Sequence, residues 1–306
     1  MKKIVTLVFV LISGLSYAQQ DAQFSNYMYN TLSFNPAYAG SRGTTSIYLS
    51  QRKQWVGLEG APSTNSLSYH SPLGSSNVGI GLSLLNDAIG PVEENLISLD
   101  VSYSIRTSYD SQLAFGLRAS AHMLNVDFTQ LNIFNPSDVL AQSNINNRVS
   151  PNIGFGMFWY SEKSYVGFSI PNLLETRHIN KDLNSSVSSL SKERLHYHFT
   201  AGHVFNINQD ILFKPAILTK IVSGAPFQLD LSSNFQIYDK FTLGASYRLD
   251  AAVSFLGGFQ INRNWLLGYA YDFDTNNLST YNSGSHEVFL RYEIFRSNRV
   301  RSPRFF

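Results

Sequence analysis

His196 and His198 stand two apart in Leu195-His196-Tyr197-His198-Phe199, so in an extended chain both imidazoles point to the same face. Two imidazoles can begin a transition-metal site, but a usable one needs a third or fourth donor. No spacing in the sequence supplies it, and the absence of cysteine excludes every thiolate site. The pair reads as polar residues bonded to neighbours or water. Hydrolytic chemistry would need a serine, a histidine and an acidic group on adjacent inward positions. The abundant serines and 7 histidines make chance pairings easy, and no spacing singles out a triad. Gly79-x-Gly81 and Gly154-x-Gly156 are not phosphate loops, because each lies inside a strand-like run instead of opening a helix. Glycine there gives small positions or local curvature. Asp87, Glu93, Glu94 and Asp110 lack calcium-loop spacing. No catalytic residue, metal site or cofactor is expected.

The elements that must position these residues are strands. Ile97, Leu99, Val101, Tyr103 and Ile105 alternate with Ser98, Asp100, Ser102, Ser104 and Arg106, and Phe241, Leu243, Ala245 and Tyr247 with Thr242, Gly244, Ser246 and Arg248. Period two puts each set on its own face, so Asp100, Arg106, Arg118, Asp230 and Arg248 share a polar one. About fourteen such runs follow one another, the first beginning near Thr45 and the last near His286. Long connections (Lys53 to Ser63, Asn86 to Glu94, Asn125 to Ser150, Pro171 to Arg194, Asp274 to Ser285) tend to alternate with short turns, as in outer-membrane barrels with short periplasmic turns. No apolar run after the amino terminus is long enough for a membrane helix, and only a closed barrel satisfies strand backbones in hydrocarbon. A large β-sandwich shares the alternation. The aromatic strand ends Tyr69, Tyr103, Trp159 with Tyr160, Trp265 and Tyr292 favour the barrel, where they suit headgroup-level girdles.

Residues 1–18 have the form of a secretory signal, with Lys2 and Lys3 before a short apolar run and small Ser16 and Ala18 at the expected cut. Removing those two lysines from 23 basic residues leaves 21 against 21 acidic ones, so no basic face for nucleic acid is implied. Residues 19–42 form an amino-terminal plug or periplasmic segment, 43–296 the barrel and 297–306 a basic tail, with Arg296, Arg299, Arg301 and Arg304 available to an acidic periplasmic partner or lipid headgroups. Phe24, Tyr27, Met28 and Leu32 have helical spacing and predict a short amphipathic helix. Pro36 disfavours helix at Asn35, and Gly40 gives a flexible exit into the first strand.

The wording of several blocks adds a resemblance. Gln23-Phe24, Tyr27-Met28-Tyr29, Asn35-Pro36-Ala37-Tyr38-Ala39-Gly40, Gln54-Trp55 with Glu59-Gly60 and Pro62, Asn86-Asp87, Pro151-Asn152 and Ser169-Ile170-Pro171-Asn172 together resemble the PorP/SprF family of the type IX secretion and gliding machinery. The resemblance implies a fatty-acid-transporter-like barrel of about fourteen strands in the outer membrane, with no enzymatic activity. It implies as partners the membrane lipid, the periplasmic ring and peptidoglycan-associated components, and the C-terminal sorting domain of a secreted adhesin. It marks Gln23, Phe24, Tyr27, Met28, Tyr29, Asn35, Pro36, Tyr38 and Gly40 as plug or partner-binding residues, and Gln54, Trp55, Glu59, Gly60 and Pro62 as a motif loop. A channel for small hydrophobic molecules is the alternative on the same fold.

Overall fold

Strands with one apolar and one polar face can bury neither edge in hydrocarbon, and closing the sheet removes both edges at once. A computed structural model of the chain, which describes residues 26–74, 76–130, 144–174 and 194–295, closes it. The predicted leader, Gln23 and Phe24, the middle of the two longest loops and the basic tail lie outside the described residues.

The wall runs β1 (Thr45–Lys53), β2 (Ser63–Pro72), β3 (Val78–Ile89), β4 (Val92–Arg106), β5 (Gln112–Val126), β6 (Ile145–Tyr160), β7 (Ser164–Ile170) and β8 (His196–His203, resuming at Phe205–Asn206). It continues through β9 (Ile211–Val222), β10 (Gln228–Ile237), β11 (Phe241–Arg248), β12 (Ala252–Gln260), β13 (Trp265–Asp274) and β14 (Ser285–Ile294). Each strand pairs antiparallel with the next, and β14 pairs with β1 from Thr45↔Ile294 to Lys53↔His286. Two faces follow from the alternation. In β4, Leu99, Val101 and Tyr103 are 60%, 54% and 52% exposed outward, while Ser98, Asp100 and Ser102 are 0%, 1% and 2% exposed toward the interior. The apolar outward face suits lipid and the polar inward face a filled lumen.

Some expectations change. Asn86 to Glu94 is not a long loop: β3 and β4 run on to a tight turn at Gly90 and Pro91. β5 and β6 likewise extend into the expected Asn125 to Ser150 loop, with a bulge between Leu124 and Val126. Strands of 15 or 16 residues (β4, β5, β6) exceed the roughly 9–11 that a bilayer needs, so their long-loop ends stand beyond it. Arg106 keeps inward parity but sits at the strand end and is exposed. Tyr160 is no girdle residue: it points inward, 5% exposed, with its hydroxyl on Gln112 at 2.8 Å.

The interior is occupied by the chain itself. Residues 26–44 run through the lumen as a turn at Asn26 to Tyr29 and two short 3-10 segments, Thr31–Ser33 and Pro36–Tyr38. This replaces the expected amphipathic α-helix. A helix with one apolar face suits a surface, whereas this segment meets wall on every side. Its side chains divide into two clusters. Tyr27, Met28, Tyr29 and Phe34 pack with Tyr48, Leu256, Leu266, Ala270 and Phe289; Leu32, Ala37, Tyr38 and Ala39 pack with Ala114, Phe158, Tyr160, Tyr165 and Ala216. Each large side chain so buried contributes on the order of 1.5–3 kcal/mol.

Candidate functional site

Close approach of the lumenal segment depends on wall glycines. A Cβ on Gly116 would fall 2.1 Å from the Ala37 nitrogen, one on Gly79 2.1 Å from the Ala39 oxygen, and one on Gly156 2.1 Å from Asn35 Oδ1. Gly79 and Gly156 belong to the two Gly-x-Gly runs, which at these two positions make room for the segment, its backbone at Gly79 and the Asn35 side chain at Gly156. Gly40 has φ +70°, a left-handed turn that an L side chain resists, and its own Cβ would meet the Gly79 Cα at 2.8 Å.

Polar contacts fix the register of the segment. Asn35 is extended at φ −129°, as the following Pro36 requires; its Oδ1 accepts from the Ala37 N–H at 3.0 Å and its Nδ2 donates to the Met157 carbonyl at 3.1 Å. Tyr38 sets its ring against His70 at 5.2 Å and Phe158 at 5.5 Å, and the Gly40 N–H donates to His70 Nδ1. The Tyr27 hydroxyl lies 3.2 Å from Ser232 Oγ, and the Tyr29 ring is 4.5 Å from Phe289. Met28 packs in the first cluster. Thus Tyr27, Met28, Tyr29, Asn35, Pro36, Tyr38 and Gly40 share one interior site.

Arg118 is the contact the sequence reading did not single out. Its guanidinium grips Asp100, directly opposite on β4, through Nε at 2.7 Å and Nη2 at 3.0 Å. It also donates to the carbonyls of Ser33 at 2.7 Å and Leu32 at 2.5 Å. One planar fork therefore ties wall to wall and wall to segment. At the other end Arg42 of the segment bonds Glu293 of β14.

The motif loop lies at the opposite, long-loop end. Trp55, held at φ 45°, donates its N–H to Ser285 Oγ at 3.2 Å. Gln54 donates to the Pro62 carbonyl at 2.9 Å, and Val56 exchanges bonds with Gly284 and Ser283. The Gly90 N–H donates to Gly60 at 3.0 Å, while Glu59 is exposed. The loop thus laces the β1–β2 connection to the β13–β14 loop on one side and the β3–β4 turn on the other. On the same rim the Asp127 carboxylate accepts from Thr129, Gln130 and Asn144, and the Thr129 hydroxyl bond above all holds its pKa down at about 2.

Chemistry is sparse by comparison. His196 and His198 do face inward, but their rings are 6.4 Å apart and His198 packs on Phe34 at 5.5 Å. Among the described residues no three His, Asp or Glu side chains are grouped to hold a metal. Ser164 Oγ and His203 Nδ1 are 2.7 Å apart, but on the outward face, with no carboxylate bonded to that histidine among the described residues. Beside Met28 a gap of 10 Å³ offers about the room of one water.

No curated protein is similar to this chain. Among solved structures it is similar to the CymD monoaromatic hydrocarbon channel (13% identity, 87% of this chain and 93% of that one, TM-score 0.48). It is also similar to the Pseudomonas putida toluene transporter TodX (11%, 89% and 94%, TM-score 0.47) and to the Acinetobacter baumannii outer-membrane protein Omp33 (8%, 82% and 99%, TM-score 0.44). The family model for the type IX secretion system membrane protein PorP/SprF matches residues 16–292. That span takes in the lumenal segment, the motif loop and nearly the whole wall, and on it the chain belongs to the PorP/SprF family of type IX secretion system membrane proteins.

Proposed function

We propose that this outer-membrane barrel is a non-enzymatic component of type IX secretion that binds a secreted adhesin through the adhesin's C-terminal sorting domain and helps to export or anchor it. The observation that carries this reading is the lumen filled by residues 26–44, which leaves binding at the rims as the barrel's contribution. The laced long-loop rim, raised by the extended strands β3 to β6, supports a recognition surface on the exterior; the loops between Asn125 and Ser150 and between Pro171 and Arg194 are its candidate specificity elements. The short-turn end, where both the segment's exit and the end of β14 lie, is the face for the periplasmic ring and peptidoglycan-associated partners. The same filled lumen counts against a channel for small hydrophobic molecules.

The test is affinity isolation of the tagged protein from cross-linked native outer membranes. Recovery of type IX components with one large adhesin is the expected result, and exchanging the two loops with those of a relative should change which adhesin is recovered. Recovery of the barrel alone from membranes containing the machinery would overturn the reading.

A further inference from the structure

The outward face of β1 to β4 changes character abruptly toward the long-loop end, while β13 and β14 stay apolar one row further, at Tyr269 and Val288. Leu267, Leu290, Leu49, Leu67, Leu84 and Ile97 stand opposite one another in one cross-strand row. Two residues further out, Gln51, Asn65, Asn86 and Asn95 form another, joined by side-chain bonds from Asn65 to Asn86 at 3.3 Å and Asn86 to Asn95 at 2.9 Å. Hydrocarbon tolerates the first row and not the second, so the boundary of the outer leaflet lies between them on this side.

One row above that, past Gln51 and Val288, Lys53 at the end of β1 and His286 on β14 face outward in direct register. Residues directly opposite hold their Cβ atoms about 5 Å apart, so the two side chains can meet one ligand group. Among the described residues no carboxylate pairs with Lys53; Glu287 points inward and is fully buried. Glu93, the acidic residue of the same row, is on β4, three strands or about 14 Å away. Tyr269 and Tyr271 flank the imidazole, with ring centroids 6.1 and 5.1 Å from it. The Tyr269 hydroxyl lies 2.5 Å from His286 Nδ1, which leaves Nε2 as the ring's second polar atom.

We propose that Lys53 and His286, framed by Tyr269 and Tyr271, bind the phosphate of an outer-leaflet glycolipid whose acyl chains lie along the leucine row beneath. An anion placed between them takes a charge-assisted hydrogen bond from Lys53, and His286 offers a second polar contact on the adjacent strand. The aliphatic row four residues below, beyond Gln51 and Val288, selects an amphipathic ligand over a free anion. The juxtaposition that carries the site is an outward Lys–His pair two rows above an all-aliphatic row.

Native mass spectrometry of the full-length detergent-solubilised protein, titrated with diphosphoryl lipid A, tests this. One lipid is retained by the wild type, and the K53Q/H286Q double variant retains it at least tenfold less, with unchanged heat-modifiable migration on gels to show an intact barrel. K53Q alone serves if the double variant fails to fold, and K53R restores retention. Three results would each overturn the proposal: equal retention by the variants; equal retention of fully dephosphorylated lipid A, which would mean apolar packing alone; or displacement by millimolar inorganic phosphate, which would mean a free-anion site.

Discussion

Replacing Arg118 by lysine separates what holds the wall from what holds the lumenal segment. Lysine keeps the charge beside Asp100 but has a compact ammonium in place of the planar fork that reaches Asp100, Ser33 and Leu32 together. Hydrogen bonds to charged groups contribute about 1.5–3 kcal/mol each, and a short ammonium satisfying Asp100 forfeits at least one of the two segment carbonyls. The segment is then loosened by about 1.5–3 kcal/mol for each carbonyl lost, or roughly 10- to 150-fold in its local opening equilibrium. Hydrogen exchange followed by mass spectrometry reads this on amides of residues 33–39, which should exchange faster by that factor while amides of the wall ladders keep their protection. The control is R248K, whose arginine pairs with Asp230 at 2.8 Å across β10 and β11; it should leave residues 33–39 unchanged. Unaltered exchange of the segment in R118K would mean that apolar burial alone holds it, and the latch argument would be wrong.

Gly116→Ala drives a methyl into the Ala37 backbone and should expel or shift the segment, whereas Gly257→Ala, with nothing within 4 Å of its Cβ, should be silent; single-channel conductance in planar bilayers distinguishes a gated pore from a closed barrel. Arg118→Met leaves Asp100 buried without its counter-charge and should cost about 3–5 kcal/mol in urea unfolding, more than the R118M/D100N double variant costs. Asp127 has a folded pKa depressed to about 2, below the ordinary carboxylate value of about 3.9, so its carboxylate favours the folded β5–β6 rim at neutral pH. That contribution begins to fall near pH 4 and is gone below pH 2; local exchange at Phe128 to Gln130 should rise over this window in the wild type and be pH-independent there in Asp127→Asn.

The wall was legible because lipid on one side and a polar lumen on the other impose strict alternation, and the strands begin near patterns visible in the residues except β6, which starts at Ile145 inside an expected loop. Legibility ends where the alternation does. Beyond the bilayer β3 and β4 face water on both sides, so Asn86, Asp87, Glu93 and Glu94 look like loop although they continue the ladder. The lumenal segment misled in a different way: helical spacing at Tyr27, Met28 and Leu32 reflects apolar composition, and a chain surrounded by wall needs no single apolar face. Asn35, Pro36 and Gly40 behave as their local chemistry requires, since backbone sterics do not depend on surroundings. The Arg118 contact had a readable half. Asp100 and Arg118 lie equally far from Tyr109 in a short turn, as Asp230 and Arg248 do from Asp239, so hairpin register pairs them. The other half, the carbonyls of Ser33 and Leu32, belongs to a segment whose path only the folded barrel defines.

The distribution of charge explains how such a barrel can be filled without depending on its filling. Asp100 with Arg118, Asp230 with Arg248, and Arg52 with Asp272 and Glu287 are all wall-to-wall pairs, so these buried charges keep partners whether or not the segment is seated. Among the described residues Arg118 and Arg42 make the charged hydrogen bonds between segment and wall, one near its middle and one where it enters β1, and Glu293 retains Arg291 at 3.7 Å if Arg42 leaves. Loss of the segment therefore exposes apolar surface at Tyr48, Phe158, Leu256 and Phe289 but strands no ion of the wall's own pairs. That asymmetry makes seating a matter of hydrophobic burial, neutral hydrogen bonds at Asn35, Ala39 and Gly40, and two charged latches, and it locates the force a partner would have to exert at the Arg42 end, where the segment meets the closing seam of the barrel.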